Sequence, residues 1–257
     1  MLSGGEGRDV RASLPFLCAV DIFCDCDIAV FARSQFAWAG LELWRGLGFS
    51  RVMKPDFEFE RAAHARGFER VAGVDEVGRG PLAGPVTAAA VVLDPDRIPE
   101  GLNDSKKLTK PARERLYEEL LQVADVSVAH ASVEEIEELN ILRASHLAML
   151  RALEGLKTPA DYALIDGNMI PRDLTLPAET VVKGDARSQS ISAASIAAKI
   201  CRDCVMLSLA QQHPGYGWET NMGYGSKKHM EALQKIGVTP HHRRLFKPVH
   251  NMLYQDK

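Results

Sequence analysis

The sequence predicts a layered α/β domain. Segments with the residue pattern of β-strands alternate along the chain with segments of helical spacing, as expected when helices pack against the faces of a sheet. A second observation points the same way, because acidic residues directly follow several of the predicted strands. In open α/β sheets, functional side chains gather beyond the carboxyl ends of the strands.

Three strands are predicted in the first half of the domain. Residues 70–76 and 85–93 are rich in valine, and a Gly-Pro turn precedes the second of them. Residues 125–132 alternate valine with polar neighbours, which is typical of a strand with one buried face. These segments supply the first part of the predicted sheet.

Two helices are predicted beside these strands. Residues 111–123 carry leucines on one side and follow Thr109, a residue type that caps helices. Residues 133–156 have apolar residues near helical spacing over their whole length, and Gly155 and Pro159 mark the end. The pattern therefore predicts one continuous helix before the fourth strand.

The last two predicted strands each lead to an aspartate. Residues 162–166 are an apolar run that ends in Asp166, and residues 180–183 are followed shortly by Asp185. A long helix rich in small residues is then predicted over 190–211. Taken singly, each aspartate also fits a turn or a helix cap. Two acids that arrive independently at strand ends favour a functional site.

The first strand ends in two adjacent carboxylates, Asp75 and Glu76, and then Arg79 between Gly78 and Gly80. Successive side chains of a regular strand point to opposite faces. Both acids can therefore serve one site only if the chain leaves the strand near Glu76, which the two glycines make easy. The alternative, an exposed acidic pair before a glycine turn, remains open on spacing alone.

The candidate site is a metal site that acts on a phosphate. Its acids are Asp75, Glu76, Asp166 and Asp185. Crowded carboxylates repel one another, and a divalent cation removes that repulsion. Oxygen ligands alone suit Mg²⁺ or Mn²⁺, and such a site can assist an in-line displacement at phosphorus. Free N–H groups at the start of the 190–211 helix are a further candidate phosphate contact.

The composition is that of a soluble globular protein with one or two domains. The chain has 257 residues, 46% hydrophobic and 25% charged, with a formal net charge of -3. Positive charge is nevertheless concentrated in residues 223–257, whose basic side chains are Lys227, Lys228, Lys235, Arg243, Arg244, Lys247 and Lys257. This segment is either a solvated basic face or a phosphate-binding surface.

Cysteine use and hydropathy exclude several classes of protein. The five cysteines are an odd number and do not indicate a disulfide framework. Cys201 and Cys204 have helical spacing but no second Cys or His pair to complete a zinc site. No apolar run has the length of a membrane span. We expect a monomeric cytoplasmic protein that does not associate with membranes.

The first 52 residues differ in composition from the remainder. They hold three of the five cysteines, two of the three tryptophans and no lysine. Aspartates interrupt their apolar stretches, which argues against a signal peptide or a transit peptide. We therefore expect residues 1–52 to be an extension upstream of a natural start at Met53, and residues 53–257 to be the functional domain.

Six motifs follow one another in an order and spacing that match a known family. They are residues 73–86 (GVDEVGRGPLAGPV), 103–108 (NDSKKL), 138–142 (ELNIL), 164–168 (LIDGN), 182–185 (VKGD) and 191–196 (ISAASI). Together they resemble bacterial ribonuclease HII, the type 2 ribonuclease H family, over roughly residues 68–250. Residues 1–52 match nothing in the family's pattern.

The resemblance implies an RNase H-like fold, a mixed five-stranded sheet flanked by helices, with a helical C-terminal portion. It implies endonucleolytic cleavage of the RNA strand of RNA/DNA hybrids and nicking on the 5′ side of single ribonucleotides in duplex DNA, which leaves a 3′-hydroxyl and a 5′-phosphate. Mg²⁺ or Mn²⁺ is the implied cofactor, and these two kinds of nucleic acid are the implied partners.

The resemblance also assigns roles to the motif residues. The family's catalytic and metal-binding acids correspond to Asp75, Glu76, Asp166 and Asp185. Gly78, Arg79 and Gly80 match the loop that senses the 2′-hydroxyl through close backbone contact. This agrees with the chemistry, because only that hydroxyl distinguishes RNA from DNA at a given nucleotide.

Further residues are implied to bind the substrate. Tyr224 matches the tyrosine that packs on the deoxynucleotide sugar at the RNA-to-DNA junction. Lys106, Lys107 and Lys183 are expected to contact the nucleic-acid backbone, together with the basic C-terminal segment. Just before Tyr224, residues 219–222 (ETNM) depart from the basic His-Lys pair that many relatives have there, so that local phosphate contact is not carried over.

Two other functions compete with the nuclease interpretation. One is a hybrid-binding module without catalysis, against which the retention of all four acids argues. The other is a metal-dependent phosphatase or nucleotide hydrolase of α/β type, which lacks support because the chain has no P-loop Gly-Lys-Ser/Thr motif.

Overall fold

The computed structural model describes residues 54–254. Residues 1–53 and 255–257 lie outside the described residues, and with them the predicted extension over 1–52 and the predicted start at Met53. Among the described helices, none combines the length and the apolar character that are needed to cross a lipid bilayer.

Five strands form one mixed sheet in the order β3-β2-β1-β4-β5. The central strand β1 (Val71–Val77) is antiparallel to β2 (Val86–Leu93), which is antiparallel to β3 (Ala124–Ala131). On its other side β1 runs parallel to β4 (Tyr162–Asp166), and β4 runs parallel to β5 (Ala178–Val181). The mixed five-stranded sheet that the resemblance implies is confirmed.

Eight α-helices accompany this sheet in the described part of the chain: α1 (Glu58–Ala65), α2 (Lys110–Val123), α3 (Val133–Leu139), α4 (Ile141–Glu154), α5 (Gln189–Gln212), α6 (Trp218–Asn221), α7 (Lys227–Ile236) and α8 (Lys247–Tyr254). A short 3-10 helix, Gly184–Ala186, lies between β5 and α5. The helical C-terminal portion is therefore confirmed as well.

Helices cover both faces of the central strands. Ala88 and Ala90 of β2 pack in a cluster with residues of α4, whereas Ala89 and Val91 pack in a cluster with residues of α5. The alternation follows because successive strand side chains point to opposite faces. Small side chains at these positions let both helices lie close to the sheet, and β2 is buried over its whole length.

The start of α5 lies directly on β1, and this contact requires a glycine. A Cβ atom on Gly73 would lie 2.2 Å from the carbonyl carbon of Ser190 and 2.3 Å from the amide nitrogen of Ile191. No side chain fits in that space. The close approach brings the N-terminal turn of α5 next to the strand that carries Asp75.

The predicted continuous helix over 133–156 is wrong, because the chain breaks at Asn140. This residue has a φ of 67°, outside the helical region. Its side-chain Oδ1 accepts hydrogen bonds from the N–H groups of Leu142 (3.0 Å) and Arg143 (3.2 Å), so that it caps the start of α4. Apolar spacing continues across the break, which is why periodicity did not reveal it.

The C-terminal helices form an apolar cluster of their own around Trp218, with Leu82 from the segment after β1. His229 and His242 are fully buried within it, and their Nε2 atoms are 3.0 Å apart. The Nδ1 of His229 donates to the carbonyl oxygen of Tyr224 at 2.9 Å. The histidines therefore help to fix the segment that carries Tyr224.

Candidate active site

Two of the predicted acids meet at the ends of parallel strands. Val74 pairs with Ile165 in the register of β1 and β4, so the next residues, Asp75 and Asp166, lie side by side at the same edge. Asp166 is the last residue of its strand. Parallel strands with their carboxyl ends together thus gather the acids where ligands bind in sheets of this kind.

Asp75 and Glu76 lie on opposite faces of the sheet. β1 continues to Val77 with an unbroken antiparallel register to β2, so the predicted departure from the strand near Glu76 is wrong. The turn comes only at Gly78, with a φ of 96°. Both acids are nevertheless close to Asp166 at the strand end, and its charge raises the pKa of each.

Glu76 faces α4. It lines a cavity of about 130 Å³ with Arg79, Asp166 and, from α4, Ser145 and His146. Burial raises the pKa of Glu76, and a hydrogen bond from Arg79 opposes this rise. The Arg79 Nη1 atom is 3.1 Å from Glu76 Oε1. A neighbouring cation therefore offsets the charge of this carboxylate.

Asp75 faces α5 and is only 7% exposed. Its pKa lies well above the ordinary value, because the carboxylate is buried and because the other three acids repel its negative charge. A hydrogen bond with Ser195 of α5 lowers the pKa in part. Ser195 is in turn held by Ser105, with 2.8 Å between the two hydroxyl oxygens.

Asp185 joins the site through the short 3-10 helix. The Gly184 N–H donates to Asp166 Oδ1 at 2.7 Å, which ties the residue before Asp185 to the end of β4. Burial raises the pKa of Asp185, and the carboxylates of Asp104 and Asp166 add to the rise. The Lys106 ammonium, 4.0 Å from Asp185 Oδ2, opposes it.

The donor set suits a hard divalent cation. All four side chains offer oxygen ligands, and a cation between them removes the repulsion that raises the pKa of Asp75. Within residues 54–254, no three Asp, Glu, His or Cys side chains are already gathered as an ion's coordination shell. Glu76 is paired with Arg79, and Asp185 with Lys106. The acids therefore fit Mg²⁺ or Mn²⁺ by ligand chemistry and charge.

The loop of residues 78–80 and Tyr224 lie together beside the acids. A Cβ atom on Gly80 would be 3.4 Å from Cε1 of the Tyr224 ring. The Leu82 N–H donates to the carbonyl oxygen of Gly223 at 2.8 Å, which joins the two segments. Tyr224 is 47% exposed. Its ring is therefore accessible next to the glycine loop.

The three predicted lysine contacts differ in their distance from the acids. Lys106 lies beside them: burial lowers its pKa, but Asp104 and Asp185 outweigh this effect and the net pKa is raised. Lys107 and Lys183 are exposed. Lys183 has a φ of 56° at the turn before the 3-10 helix. Of these three lysines, the structure thus brings only Lys106 into contact with the acidic edge, the group formed by Asp75, Glu76, Asp166 and Asp185.

Both interpretations of the basic C-terminal segment, a solvated face or a phosphate-binding surface, are wrong for Arg243. Its side chain is fully buried, because its guanidinium group binds backbone carbonyl oxygens inside the protein. Lys227, Lys228 and Arg244 are exposed and stay candidates for contact with a phosphate backbone. Lys257 lies outside the described residues.

The prediction of a phosphate contact at the start of α5 is also wrong. Glu60 of α1 is 1% exposed and occupies this position with its own carboxylate. Its Oε1 atom accepts hydrogen bonds from the Ser190 N–H (2.9 Å) and from the hydroxyls of Ser188 (2.6 Å) and Ser190 (2.5 Å). These donors are buried and already bonded to Glu60, so they are not available to a phosphate group.

Sequence reasoning misses several residues that shape the site: Ser105, Ser195, Glu60 and His146. The two serines lie inside the motifs that carry the family resemblance, and this position is the one feature of the sequence that could have pointed to them. Glu60 and His146 lie outside those motifs, and no spacing or composition distinguishes them from exposed helical residues.

Comparisons with known proteins agree on one family. The family model described as ribonuclease HII matches residues 72–249. A ribonuclease HII of Roseobacter denitrificans is 72% identical over 193 residues, which is 75% of this chain and 98% of that protein. One of Ruegeria pomeroyi is 66% identical over 255 residues, which is 99% of both chains.

A solved structure gives the same result. The crystal structure of ribonuclease H2 from Pyrococcus horikoshii matches with a TM-score of 0.60 and 28% identity, covering 72% of this chain and 97% of that one. The family model and the close relatives cover the strands and loops that carry the acidic edge. The chain therefore belongs to the ribonuclease HII family and is a metal-dependent endonuclease with ribonuclease H activity on RNA/DNA hybrids.

Proposed function

We propose that this enzyme, besides cutting the RNA strand of hybrids, nicks duplex DNA on the 5′ side of a single embedded ribonucleotide. The observation that carries the proposal is the adjacency of the acids Asp75, Glu76 and Asp166 to the loop of residues 78–80. Clustered carboxylates suit phosphodiester hydrolysis. A glycine loop lets backbone groups approach the one hydroxyl that distinguishes RNA from DNA.

The proposed reaction is an in-line displacement at phosphorus. The oxygen of a water molecule forms a new bond to phosphorus, and the bond from phosphorus to the 3′-oxygen of the preceding nucleotide breaks. The proton that water loses is balanced by the proton that this 3′-oxygen gains. The ribonucleotide keeps a 5′-phosphate, and the preceding nucleotide keeps a 3′-hydroxyl.

The acidic edge would hold the cation for this reaction through Asp75, Glu76, Asp166 and Asp185. Bound Mg²⁺ or Mn²⁺ supplies activation of water and stabilisation of negative charge on the phosphate and the departing oxygen. The crowding of the acids supports this assignment, because burial and mutual repulsion already oppose the charged form of Asp75.

The side chains around the acids would orient the substrate. Arg79 is half exposed beside Glu76, so that its guanidinium group can turn to a phosphate oxygen. Lys106 lies at the opposite side, next to Asp185, and is exposed. The ring of Tyr224 lies against Gly80 and would pack on the sugar of the deoxynucleotide that follows the ribonucleotide.

The proposal is tested with three duplexes of equal length: an RNA/DNA hybrid, a DNA duplex with one ribonucleotide, and the all-DNA duplex. With Mg²⁺ present, we expect cleavage of the first two and none of the third. Binding of the single-ribonucleotide duplex without a nick would instead indicate a hybrid-binding module. Hydrolysis of small phosphate esters without cleavage of nucleic acid would favour the phosphatase interpretation.

A further inference from the structure

Two arginines lie fully buried behind the loop of residues 78–80. Arg202 and Arg243 are both 0% exposed. Within the described residues neither forms a salt bridge with a carboxylate, and their donors go to backbone carbonyl oxygens instead. Burial of two unpaired cations is costly. A stabilising role alone would be met as well by apolar side chains.

Arg243 binds the glycine loop itself. Its Nη2 donates to the carbonyl oxygen of Gly78 at 2.6 Å, and its Nη1 donates to that of Arg79 at 3.1 Å. Its Nε donates to the carbonyl oxygen of Gly84 at 2.9 Å. One planar guanidinium group thus fixes two successive peptide groups of the loop and a third in the following turn.

The direction of these carbonyl groups determines the direction of the neighbouring N–H groups. The described chain contains no cis peptide bond, and in a trans peptide the C=O of one residue points opposite to the N–H of the next. The N–H groups of Arg79 and Gly80 therefore point away from Arg243. Neither has a hydrogen-bond acceptor among residues 54–254.

The backbone of Arg243 is itself anchored next to the loop. The Arg243 N–H donates to the carbonyl oxygen of Leu82 at 2.8 Å. Arg202 also packs tightly against the loop, because a Cβ atom on Gly78 would lie 2.1 Å from its Nε. Burial, with repulsion from Arg202, lowers the pKa of Arg243 to about 9. The guanidinium group therefore stays charged at neutral pH and keeps all its donors.

We propose that Arg243 is a positioning residue for ribonucleotide specificity, because it aims the N–H groups of Arg79 and Gly80 at the ribose 2′-hydroxyl. The hydroxyl oxygen accepts from one or both of these N–H groups, which a deoxynucleotide does not. The inference rests on the proposed function, since Arg243 is assigned the role of orienting the loop that recognises the 2′-hydroxyl.

The test is a ratio measured on one protein preparation. Single-turnover nicking is compared between a duplex with one ribonucleotide and the same duplex with a 2′-fluoro-2′-deoxy nucleotide at that position, which accepts hydrogen bonds only weakly. We expect a wild-type ratio of about tenfold or more, the size of one or two hydrogen bonds. In Arg243→Met the ratio should fall to within about twofold of one. Because both rates are measured on one preparation, their ratio does not depend on the fraction of protein that is active.

The matched control is Arg244→Met, which removes the same charge from the exposed neighbouring residue and should keep the wild-type ratio. If Arg243 only stabilises the fold, both rates fall together and the ratio is unchanged, which would overturn the inference. A wild-type ratio near one would also overturn the inference, whereas a wild-type enzyme that does not nick the single-ribonucleotide duplex at all would overturn the proposed function.

Two further measurements apply if Arg243→Met does not fold. Arg243→Lys keeps the charge without the planar fork and should give an intermediate ratio, whereas a full wild-type ratio contradicts the inference. In the wild-type protein, the amide signals of Arg79 and Gly80 should shift with the single-ribonucleotide duplex and not with the all-DNA duplex. Equal shifts with both duplexes would also contradict it.

Discussion

Replacement of Glu60 tests whether a buried carboxylate holds the start of α5. In Glu60→Ala, three donors of Ser188 and Ser190 lose the acceptor they share. A buried donor without a partner costs about 1–3 kcal/mol. Taking the lower end for each donor, we expect the free energy of unfolding to fall by about 3 kcal/mol. For a domain of this size the melting temperature falls by roughly 6–12 °C.

Two variants make the Glu60 prediction specific. Glu60→Gln keeps one oxygen acceptor and loses the charge, so we expect a smaller loss of about 1 kcal/mol. Glu58→Ala removes an exposed glutamate from the same helix and should change stability by less than about 0.5 kcal/mol. Urea denaturation followed by circular dichroism measures all three. If Glu60→Ala and Glu58→Ala are equally stable, the carboxylate does not anchor α5.

Three further outcomes are expected. Asp166→Asn should lower the nicking rate at least about a hundredfold while the protein stays as stable as wild type, because the proposed metal ligand is lost and repulsion is relieved; nicking and denaturation are measured together. Gly78→Ala should cost at least about 2 kcal/mol by denaturation, because its φ is 96° and the new Cβ would meet Arg202. Burial lowers the pKa of His242 from 6.5 to about 3. As the pH falls, the unfolded chain is therefore protonated at this residue before the folded protein is. The free energy of unfolding should be unaffected above pH 6.5 and should fall by about 2 kcal/mol at pH 5. A His242→Gln variant should lack that part of the loss in denaturation at the two pH values.

The strands and the meeting of their acids were predictable from sequence. A strand over residues 162–166 with an aspartate at its end is found as predicted, because apolar runs and turn residues mark short buried strands well. Parallel pairing of β1 and β4 then brings Asp75 and Asp166 to one edge. The fifth strand begins and ends two residues earlier than predicted, at Ala178–Val181.

Backbone geometry at single residues was not predictable. Periodicity runs through Asn140 without a break, although its φ of 67° separates α3 from α4. At the adjacent acids the error was reversed, because a break was predicted where the strand is continuous. A departure from the strand near Glu76 was expected so that both side chains could face one site, but the strand continues to Val77 and both acids are close to Asp166 from opposite faces of the sheet.

Buried charges were the least predictable feature. Arginine and glutamate are rarely buried, so Arg202, Arg243 and Glu60 carry no signal of burial in the sequence. Their partners are backbone carbonyls, or donors at a helix start, and all of them except the Met222 carbonyl that binds Arg202 lie more than a hundred residues away along the chain. Such pairings exist only once the fold is formed. They hold the glycine loop and the start of α5 beside the acids.

Mapping of the nick at nucleotide resolution is the most direct test of the proposed reaction. The substrate is a duplex DNA with one ribonucleotide, incubated with the full chain and Mg²⁺. We expect a single nick on the 5′ side of the ribonucleotide, with a 3′-hydroxyl on the preceding nucleotide and a 5′-phosphate on the ribonucleotide. A nick on the 3′ side, different termini, or equal cutting of the all-DNA duplex would contradict it.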